Sequence, residues 1–303
     1  MTYSCDVFGI SRQAYYKQTH SAKQKQAYAE YVISKVQDVR VSMPKLGTRK
    51  LYHLLGSSLN IGRDKLFSIL RANNMLIKPV RSYTKTTMSK HWLYKHPNLL
   101  KDITINRPEQ VFVSDITYIK SRQKTHYLSL ITDAYSRKIV GHHLSDDLGA
   151  ESVSKALKMA IKNRTYNKEL IHHSDRGLQY CSDVYQKILA DNKITPSMTD
   201  GYDCYQNALA ERINGILKHE FLFTKCNNYQ ELSILIKQSI DMYNNNRPHL
   251  ALNMKTPNFM HLRKKPTEIN PSVLINIEYK YCQPISGPDK MSRHYSRKRI
   301  IVK

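Results

Sequence analysis

The sequence predicts an α/β core, a mixed five-stranded sheet flanked by helices, preceded by an all-α region. Two observations support this fold class. Between residues 111 and 144, three short segments rich in β-branched and aromatic residues are separated only by short polar turns, which predicts an antiparallel meander. From residue 150 onward, helically spaced segments alternate with short apolar segments, which predicts βα units and parallel strands.

The first hundred residues contain two candidates for a helix-turn-helix. Gly9 supplies a turn and Ser11 is placed to cap a following helix, but little room remains before them for a first helix. The second candidate pairs a helix over residues 46–56 with a helix over residues 65–73 across a tight turn. Such pairs dock in DNA grooves, and they are also common as plain packing elements. The basic residues available there for DNA contact are Arg49, Lys50, Arg63, Lys65 and Arg71.

The remaining elements follow in order. Periodicity fades over residues 78–108, whose basic and polar composition predicts an interdomain linker. Strands are predicted over residues 111–119, 126–133, 138–144, 170–175 and 194–198, and helices from Val153 to Ile161 and over 182–190, 207–221 and 229–244. The order βββαβαβαα is that of the ribonuclease H-like fold, an analogy at the level of topology.

Charge is strongly positive and unevenly distributed. The chain has 48 Lys and Arg against 24 Asp and Glu, a net charge of +24, which favours a polyanionic partner. Residues 1–100 hold 17 basic and 4 acidic residues, which favours nucleic acid over an ordinary solvated surface. No apolar run approaches the length of a membrane span, and the five scattered cysteines fit neither a disulfide framework nor a zinc ribbon, so we expect a soluble intracellular protein with reduced thiols.

Three carboxylates stand where this topology brings elements together. Asp115 lies in the middle of the first strand, Asp175 ends the fourth strand, and Glu211 lies on the helix from residue 207, with Asn214 and Lys218 on the same face. Two Mg²⁺ ions held by such carboxylates can activate a hydroxyl and stabilise a leaving oxygen in phosphodiester chemistry. Spacing alone is weak support, because other acids compete, most of them as turn or cap residues: Asp133, Asp146, Asp147, Asp183, Asp200 and Asp203.

Several strings resemble those of bacterial insertion sequence transposases of the D,D,E kind. They are VSDITYI at residues 113–119, HSDRG at residues 173–177, and Asn207-Ala208 followed by Glu211 and Lys218. The 35 residues between Asp175 and Glu211 match the spacing typical of that group and of retroviral integrases. More narrowly, residues 5–262 are similar to the second-frame (OrfB) product of the insertion sequence three family.

The resemblance implies a fold, a reaction and partners. It implies an integrase-like catalytic core over residues 109–265. A helix-turn-helix DNA-binding region over 1–77 and the linker over 78–108 precede this core, and a basic tail over 266–303 follows it. Asp115, Asp175 and Glu211 are expected to bind Mg²⁺, with Mn²⁺ as a substitute, while Lys218 and Asn214 contact DNA. The expected partners are duplex DNA at element ends and targets, further copies of the chain on DNA, and an upstream-frame (OrfA) product. The expected location is the bacterial cytoplasm, at the nucleoid.

Two other functions compete with a magnesium-dependent transposase. A DNA-binding accessory or repressor would use the basic N-terminal region without cutting. A ribonuclease acting on RNA in hybrids would share the fold and the metals, and it would hydrolyse strands without joining them.

Overall fold

The computed structural model describes residue 7 and residues 9–78, 92–101, 103–200, 207–223 and 225–262, which all fall within one compact unit. The predicted tail and Asp203 lie outside the described residues. The strands are β1 (Val111–Lys120), β2 (Thr125–Asp133), β3 (Ile139–Ser145), β4 (Leu170–Ser174) and β5 (Ile194–Met198). The helices are α1 (Arg12–Ser42), α2 (Thr48–Leu59), α3 (Arg63–Ala72), α4 (Ala150–Lys162), α5 (Leu178–Cys181), α6 (Asp183–Asp191), α7 (Ala208–Ile216), α8 (Tyr229–Asn245) and α9 (Pro257–Leu262).

The strands form one mixed sheet in the order β3-β2-β1-β4-β5. The pairs β1–β2 and β2–β3 are antiparallel, whereas β4 lies parallel to both β1 and β5. The meander and the two crossovers predicted from the sequence are therefore confirmed, and the topology is ribonuclease H-like. It places β1 at the centre of the sheet, flanked by an antiparallel and a parallel neighbour.

One face of the sheet is covered by α4. Ala156, Leu157 and Ala160 are fully buried on the predicted apolar face of this helix. Gly141 on β3 allows the close approach, because a Cβ there would lie 2.3 Å from the carbonyl oxygen of Ala156. The helix backbone thus packs directly against the strand.

The N-terminal helices share a hydrophobic core with the helices of the sheet domain. Val36 and Leu66 from α1 and α3 belong to the same buried cluster as Ile213 of α7 and Ile236 of α8. Burial of apolar surface is the main stabilising contribution in such a cluster. The predicted boundaries between the N-terminal region, linker and core stay predictions.

The helix pair α2–α3 confirms the second predicted pair with shifted bounds. Asn60 ends α2 in the left-handed conformation at φ 46°, which makes the tight turn. Ser11 caps α1 as predicted, accepting a hydrogen bond from the Ala14 amide. The 31-residue length of α1 is not evident from the sequence, because the helix is polar nearly all round and buries only Val32 and Val36 fully.

The helix predicted over residues 207–221 is not a regular α-helix in its last five residues. The α-helix ends at Ile216, and Leu217–Phe221 form a π-helical turn in which the Leu222 amide donates to the Leu217 carbonyl over 2.9 Å. In this turn Glu220 forms ion pairs with Lys50 and Arg247, which lie far from it in the sequence. Such tertiary contacts leave no periodic pattern, so the sequence does not predict the π-helical turn. None of the helices in the described ranges is long and apolar enough to cross a membrane.

Candidate active site

Strand register brings Asp115 and Asp175 to the same edge of the sheet. Val113 of β1 is paired in parallel with His173 of β4, and each aspartate lies two residues beyond this pair. Because side chains alternate along a strand, the two carboxylates leave the same face of neighbouring strands. The predicted convergence of these two acids follows directly from the pairing.

Helix α7 adds Glu211 to this edge. Asn207 Nδ2 donates to the Ser114 carbonyl over 3.0 Å, and Asn214 Nδ2 donates to Asp115 Oδ2 over 2.7 Å. Glu211 stands four residues after Asn207 and three before Asn214, so the three share one helix face. The two hydrogen bonds hold that face against β1 beside Asp115.

A tight turn shapes the backbone at Asp175. Asp175 Oδ1 accepts a hydrogen bond from the Gly177 amide over 3.1 Å, which closes an Asx turn directly after β4. A Cβ on Gly177 would lie 3.1 Å from the same carboxylate oxygen. Glycine therefore gives the carboxylate room while the chain reverses into α5.

The carboxylates repel one another. Burial raises the pKa of Asp115 to about 7, and the charges of Asp175 and Glu211 add to this rise, whereas the Asn214 hydrogen bond opposes it. Burial and the charge of Asp175 also raise the pKa of Glu211. Raised carboxyl pKa values at one sheet edge mark a place where several acidic groups are held close together.

The possible metal donors at this edge are the carboxylates of Asp115, Asp175 and Glu211. Among the described residues, no three His, Cys, Asp or Glu side chains are already close enough to hold one ion. The electrostatic coupling of Asp115 with both other acids nevertheless fits a hard divalent cation, because all the donors are carboxylate oxygens. Glu211 is solvent-exposed, so its side chain has room to turn toward a bound ion.

Lys218 lies seven residues after Glu211, about two helical turns further along the same segment, within the π-helical turn. Burial lowers the pKa of its ammonium group, and the charge of Asp115 counteracts this effect. Lys218 therefore lies within electrostatic reach of the carboxylates. It could bind a phosphate brought to them.

The predicted DNA-contacting residues of the N-terminal region divide into two groups. Lys50 departs from the expectation, because its Nζ lies 3.2 Å from Glu220 Oε1 and only 13% of its side chain is exposed. A buried, paired lysine has no free surface for a phosphate, so we assign Lys50 a structural role. The residues that remain exposed are Arg49, Arg63, Lys65 and Arg71.

Two of the competing acids, Asp133 and Asp147, are engaged elsewhere in the structure. Asp133 is fully buried and accepts hydrogen bonds from the amides of Glu109 and Ser136. Asp147 accepts a hydrogen bond from the Gly149 amide and so closes a turn before α4. Both acids act as turn residues, as the sequence suggests for most of this group.

The sequence analysis missed three structural contributors to the site. Ser114, next to Asp115, has its Oγ 3.1 Å from the hydroxyl of the buried Tyr180. Arg247 is only 2% exposed and makes two hydrogen bonds to Glu220, at 2.8 and 2.6 Å. For Arg247 the available signal was the string Arg247-Pro248-His249, which resembles the end of the catalytic domain in D,D,E transposases.

Comparisons with known proteins agree with this geometry. Two sequence profiles described as "Integrase core domain" match residues 105–204 and 192–257. The chain is 35% identical over 260 residues to the "Insertion element IS600 uncharacterized 31 kDa protein" of Shigella sonnei, covering 84% of this chain and 95% of that protein. It is 27% identical to the transposase for insertion sequence element IS629 of Shigella sonnei, covering 80% of this chain and 85% of the relative.

Among solved structures, the chain resembles the HTLV-2 integrase catalytic core domain in complex with magnesium. The TM-score is 0.42 and the identity 22%, over 51% of this chain and 97% of the other. The long match to an insertion element protein, the integrase core profiles and the sheet topology agree with one another. The chain belongs to the IS3 family of bacterial insertion sequence transposases, DDE-type polynucleotidyl transferases with an integrase-like core.

Proposed function

We propose that this transposase binds the ends of its element and carries out magnesium-dependent strand cleavage and strand transfer at the edge formed by β1, β4 and α7. The observation that carries the proposal is the register of β1 and β4, which sets Asp115 beside Asp175, while α7, the helix of Glu211, is bonded to Asp115 through Asn214. Crowded carboxylates are a costly arrangement unless a cation is part of the working state.

Each residue then has a defined role. Asp115, Asp175 and Glu211 would hold the divalent ions, with Mn²⁺ as a substitute for Mg²⁺. When bound, such ions lower the barrier by activating an attacking hydroxyl and stabilising the leaving oxygen. Asn214 orients the Asp115 carboxylate through its 2.7 Å hydrogen bond, and because it is only 4% exposed it has no free surface for the predicted DNA contact. Lys218 would bind the phosphate at the reacting position.

DNA recognition is assigned to the exposed basic residues of the N-terminal helices. Arg49, Arg63, Lys65 and Arg71 would contact the phosphates of an element end and set its position relative to the carboxylates. We further propose that several copies act together on DNA, that an upstream-frame (OrfA) product cooperates with them, and that the complex works at the bacterial nucleoid.

The direct test uses the full chain and a labelled duplex carrying the end of the element that encodes it. With Mg²⁺ we expect one strand to be cut at the element boundary and then joined to target DNA, and with a chelator we expect binding without cutting. Binding without cutting at every Mg²⁺ or Mn²⁺ concentration would overturn the proposal in favour of an accessory or repressor. Hydrolysis of RNA in a hybrid, without strand joining, would overturn it in favour of a ribonuclease.

A further inference from the structure

A row of exposed aromatic side chains follows the edge of the sheet beside β5. Trp92 is 92% exposed and Tyr94 is 73% exposed, which is unusual for large aromatic groups. His96 continues the row, with its ring centroid 5.0 Å from that of Tyr94. We call Trp92, Tyr94 and His96 the aromatic row, and its exposure needs an explanation that packing does not provide.

The aromatic row is fixed to the core on its inner side. The Leu99 amide donates to Ser197 Oγ over 3.0 Å, and the Met198 amide donates to the Pro97 carbonyl over 3.3 Å, so the following residues are tied to β5. The ring of His96 lies 2.8 Å from Gln186 Oε1. This stretch of the predicted linker is therefore an anchored segment that leaves the Trp92 and Tyr94 side chains exposed and the His96 ring partly exposed.

A cavity of about 610 Å³ opens beside the aromatic row. Its lining is largely apolar and includes Trp92, Tyr94, Cys181 and Pro196. The charged lining residues are one base and one acid, Lys187 and Asp183. The volume falls in the range of sites that bind small organic groups, about 300–1,000 Å³. A planar base is a ligand of suitable chemistry for a concave surface lined by aromatic rings.

The cavity is linked to the catalytic edge. Cys181, in its wall, lies six residues after Asp175, which limits the separation along the chain to about 20 Å. Burial raises the pKa of the Cys181 thiol, the charge of Lys95 opposes this rise and the charge of Asp175 adds to it, so both charged groups act on the same sulfur. Gln186 connects the two regions, because its Nε2 donates to the Tyr180 carbonyl over 2.7 Å and Tyr180 contacts Ser114 beside Asp115.

The charge of residues 92–101 indicates which class of ligand the aromatic row binds. Residues 92–101 contain two lysines and no acid, in a chain with a net charge of +24, so the surroundings favour a polyanion over an acidic or apolar peptide. Exposed aromatic rings beside basic residues are the general means of binding unpaired nucleotides, whose bases stack on the rings while the phosphates meet the cations. Duplex DNA offers no free base faces to such a row.

We propose that the aromatic row, with the cavity beside it, is a base-stacking site for single-stranded DNA next to the catalytic edge. This inference rests on the proposed function, because cutting one strand at an element end creates a free strand terminus whose nucleotides can fray away from their partners. The site holds these nucleotides beside Asp175 by stacking, largely independently of sequence. It is separate from the duplex-binding surface assigned to the N-terminal helices.

Trp92 is the single tryptophan of the chain, so its fluorescence reports on the site directly. The full chain is titrated without metal with a single-stranded oligothymidylate of about 20 nucleotides and with a duplex of equal length. We expect the single strand to quench Trp92 strongly and the duplex to quench it weakly. No quenching by the single strand, or equal quenching by both, would overturn the proposal.

Substitutions separate stacking from general attraction, with binding measured by the anisotropy of a labelled oligothymidylate. We expect Trp92→Ala to weaken single-strand binding by about 5- to 150-fold, Trp92→Phe to retain most of it, and duplex binding to stay within about twofold. Phe259→Ala is the matched control, because Phe259 is also exposed, at 54%, but lies on α9. Unchanged single-strand binding by Trp92→Ala, or a comparable loss in Phe259→Ala, would contradict the proposal. Because binding is measured without metal, a failure of strand cleavage with intact stacking counts against the proposed function alone.

Discussion

Glu211 and Glu220 lie nine residues apart on one helical segment, yet their surroundings differ completely. The Glu211 side chain is exposed on one side, and burial of its inner part and then the charge of Asp175 raise its pKa. Glu220 is mostly buried, and although burial alone would raise its pKa, hydrogen bonds and charge from Arg247 and then Lys50 lower it. One acid is therefore available for a metal ion, and the other is already neutralised by protein cations.

Glu220→Gln is expected to destabilise the fold. The substitution leaves Arg247, 2% exposed, without its charge partner, and breaking a buried ion pair in this way costs about 3 kcal/mol. The measurement is the free energy of unfolding in urea, compared with Glu151→Gln, whose side chain is exposed on the first turn of α4. Equal unfolding free energies for the two variants would show that the Lys50–Glu220–Arg247 cluster does not stabilise the fold.

The site residues were predictable from the sequence to different degrees. Asp115 and Asp175 follow from the strand pattern, because parallel neighbours bring equivalent positions together, and Glu211 follows from family spacing. The partners of Glu220 do not, because Lys50 is 170 residues away and no periodicity encodes an ion pair over that distance. The same holds for the contact between Ser114 and Tyr180, 66 residues apart.

At the scale of elements, local patterns predicted the strands and most helices but not their irregularities. The apolar face of α4 and the β-branched and aromatic residues of the first three strands are local properties, so the sequence displays them. The π-helical turn at Leu217–Phe221 depends on what Glu220 meets in the folded protein. The length of α1 was not predicted either, because apolar residues do not recur at helical spacing between Arg12 and Ala29.

Helix α9 is held to the sheet by an ionisable cluster that makes stability depend on pH. His261 Nε2 lies 3.3 Å from Glu109 Oε1, and its Nδ1 lies 3.5 Å from Asp133 Oδ2. Burial alone would lower the pKa of His261, but the contacts with Asp133 and Glu109 outweigh this and raise it above 6.5. Burial would raise the pKa of Glu109, yet hydrogen bonds from His261 and the amides of Thr165 and Tyr166 lower it below 4.5.

The sign of each shift defines the pH range of greatest stability. The raised pKa of His261 stabilises the fold below pH 6.5, and this contribution is lost as the pH rises through the folded-state pKa. The lowered pKa of Glu109 stabilises the fold above pH 4.5, and this contribution is lost as the pH falls. We expect the difference in unfolding free energy between the wild type and His261→Gln to be larger at about pH 5.5 than at about pH 8.5. A difference that grows with pH would contradict the assignment.

At the scale of the whole molecule, the N-terminal helices and the sheet domain share buried apolar residues, so DNA binding is best measured on the full chain. We expect the exposed basic residues to neutralise about six phosphates of a duplex. A plot of the logarithm of the binding constant against the logarithm of the salt concentration should then have a slope of about −5. Replacing Arg49 and Lys65 together by alanine should reduce that slope by about 2. A slope unchanged by both substitutions would place the duplex elsewhere on the protein.

Strand cleavage by Glu211→Gln is the most direct test of the central claim, that Asp115, Asp175 and Glu211 form the metal-dependent catalytic site. Glutamine keeps the size of the side chain and removes the charge that attracts a divalent ion, so the variant should fold and bind element-end DNA as the wild type does. Its rate of strand cleavage with Mg²⁺ should fall by about 1,000-fold, because electrostatic stabilisation by bound ions supplies much of the barrier reduction at such a site. Glu151→Gln, which also removes an exposed acid from the first turn of a helix, should cleave at the wild-type rate. A folded Glu211→Gln protein that cleaves as fast as Glu151→Gln would contradict the claim.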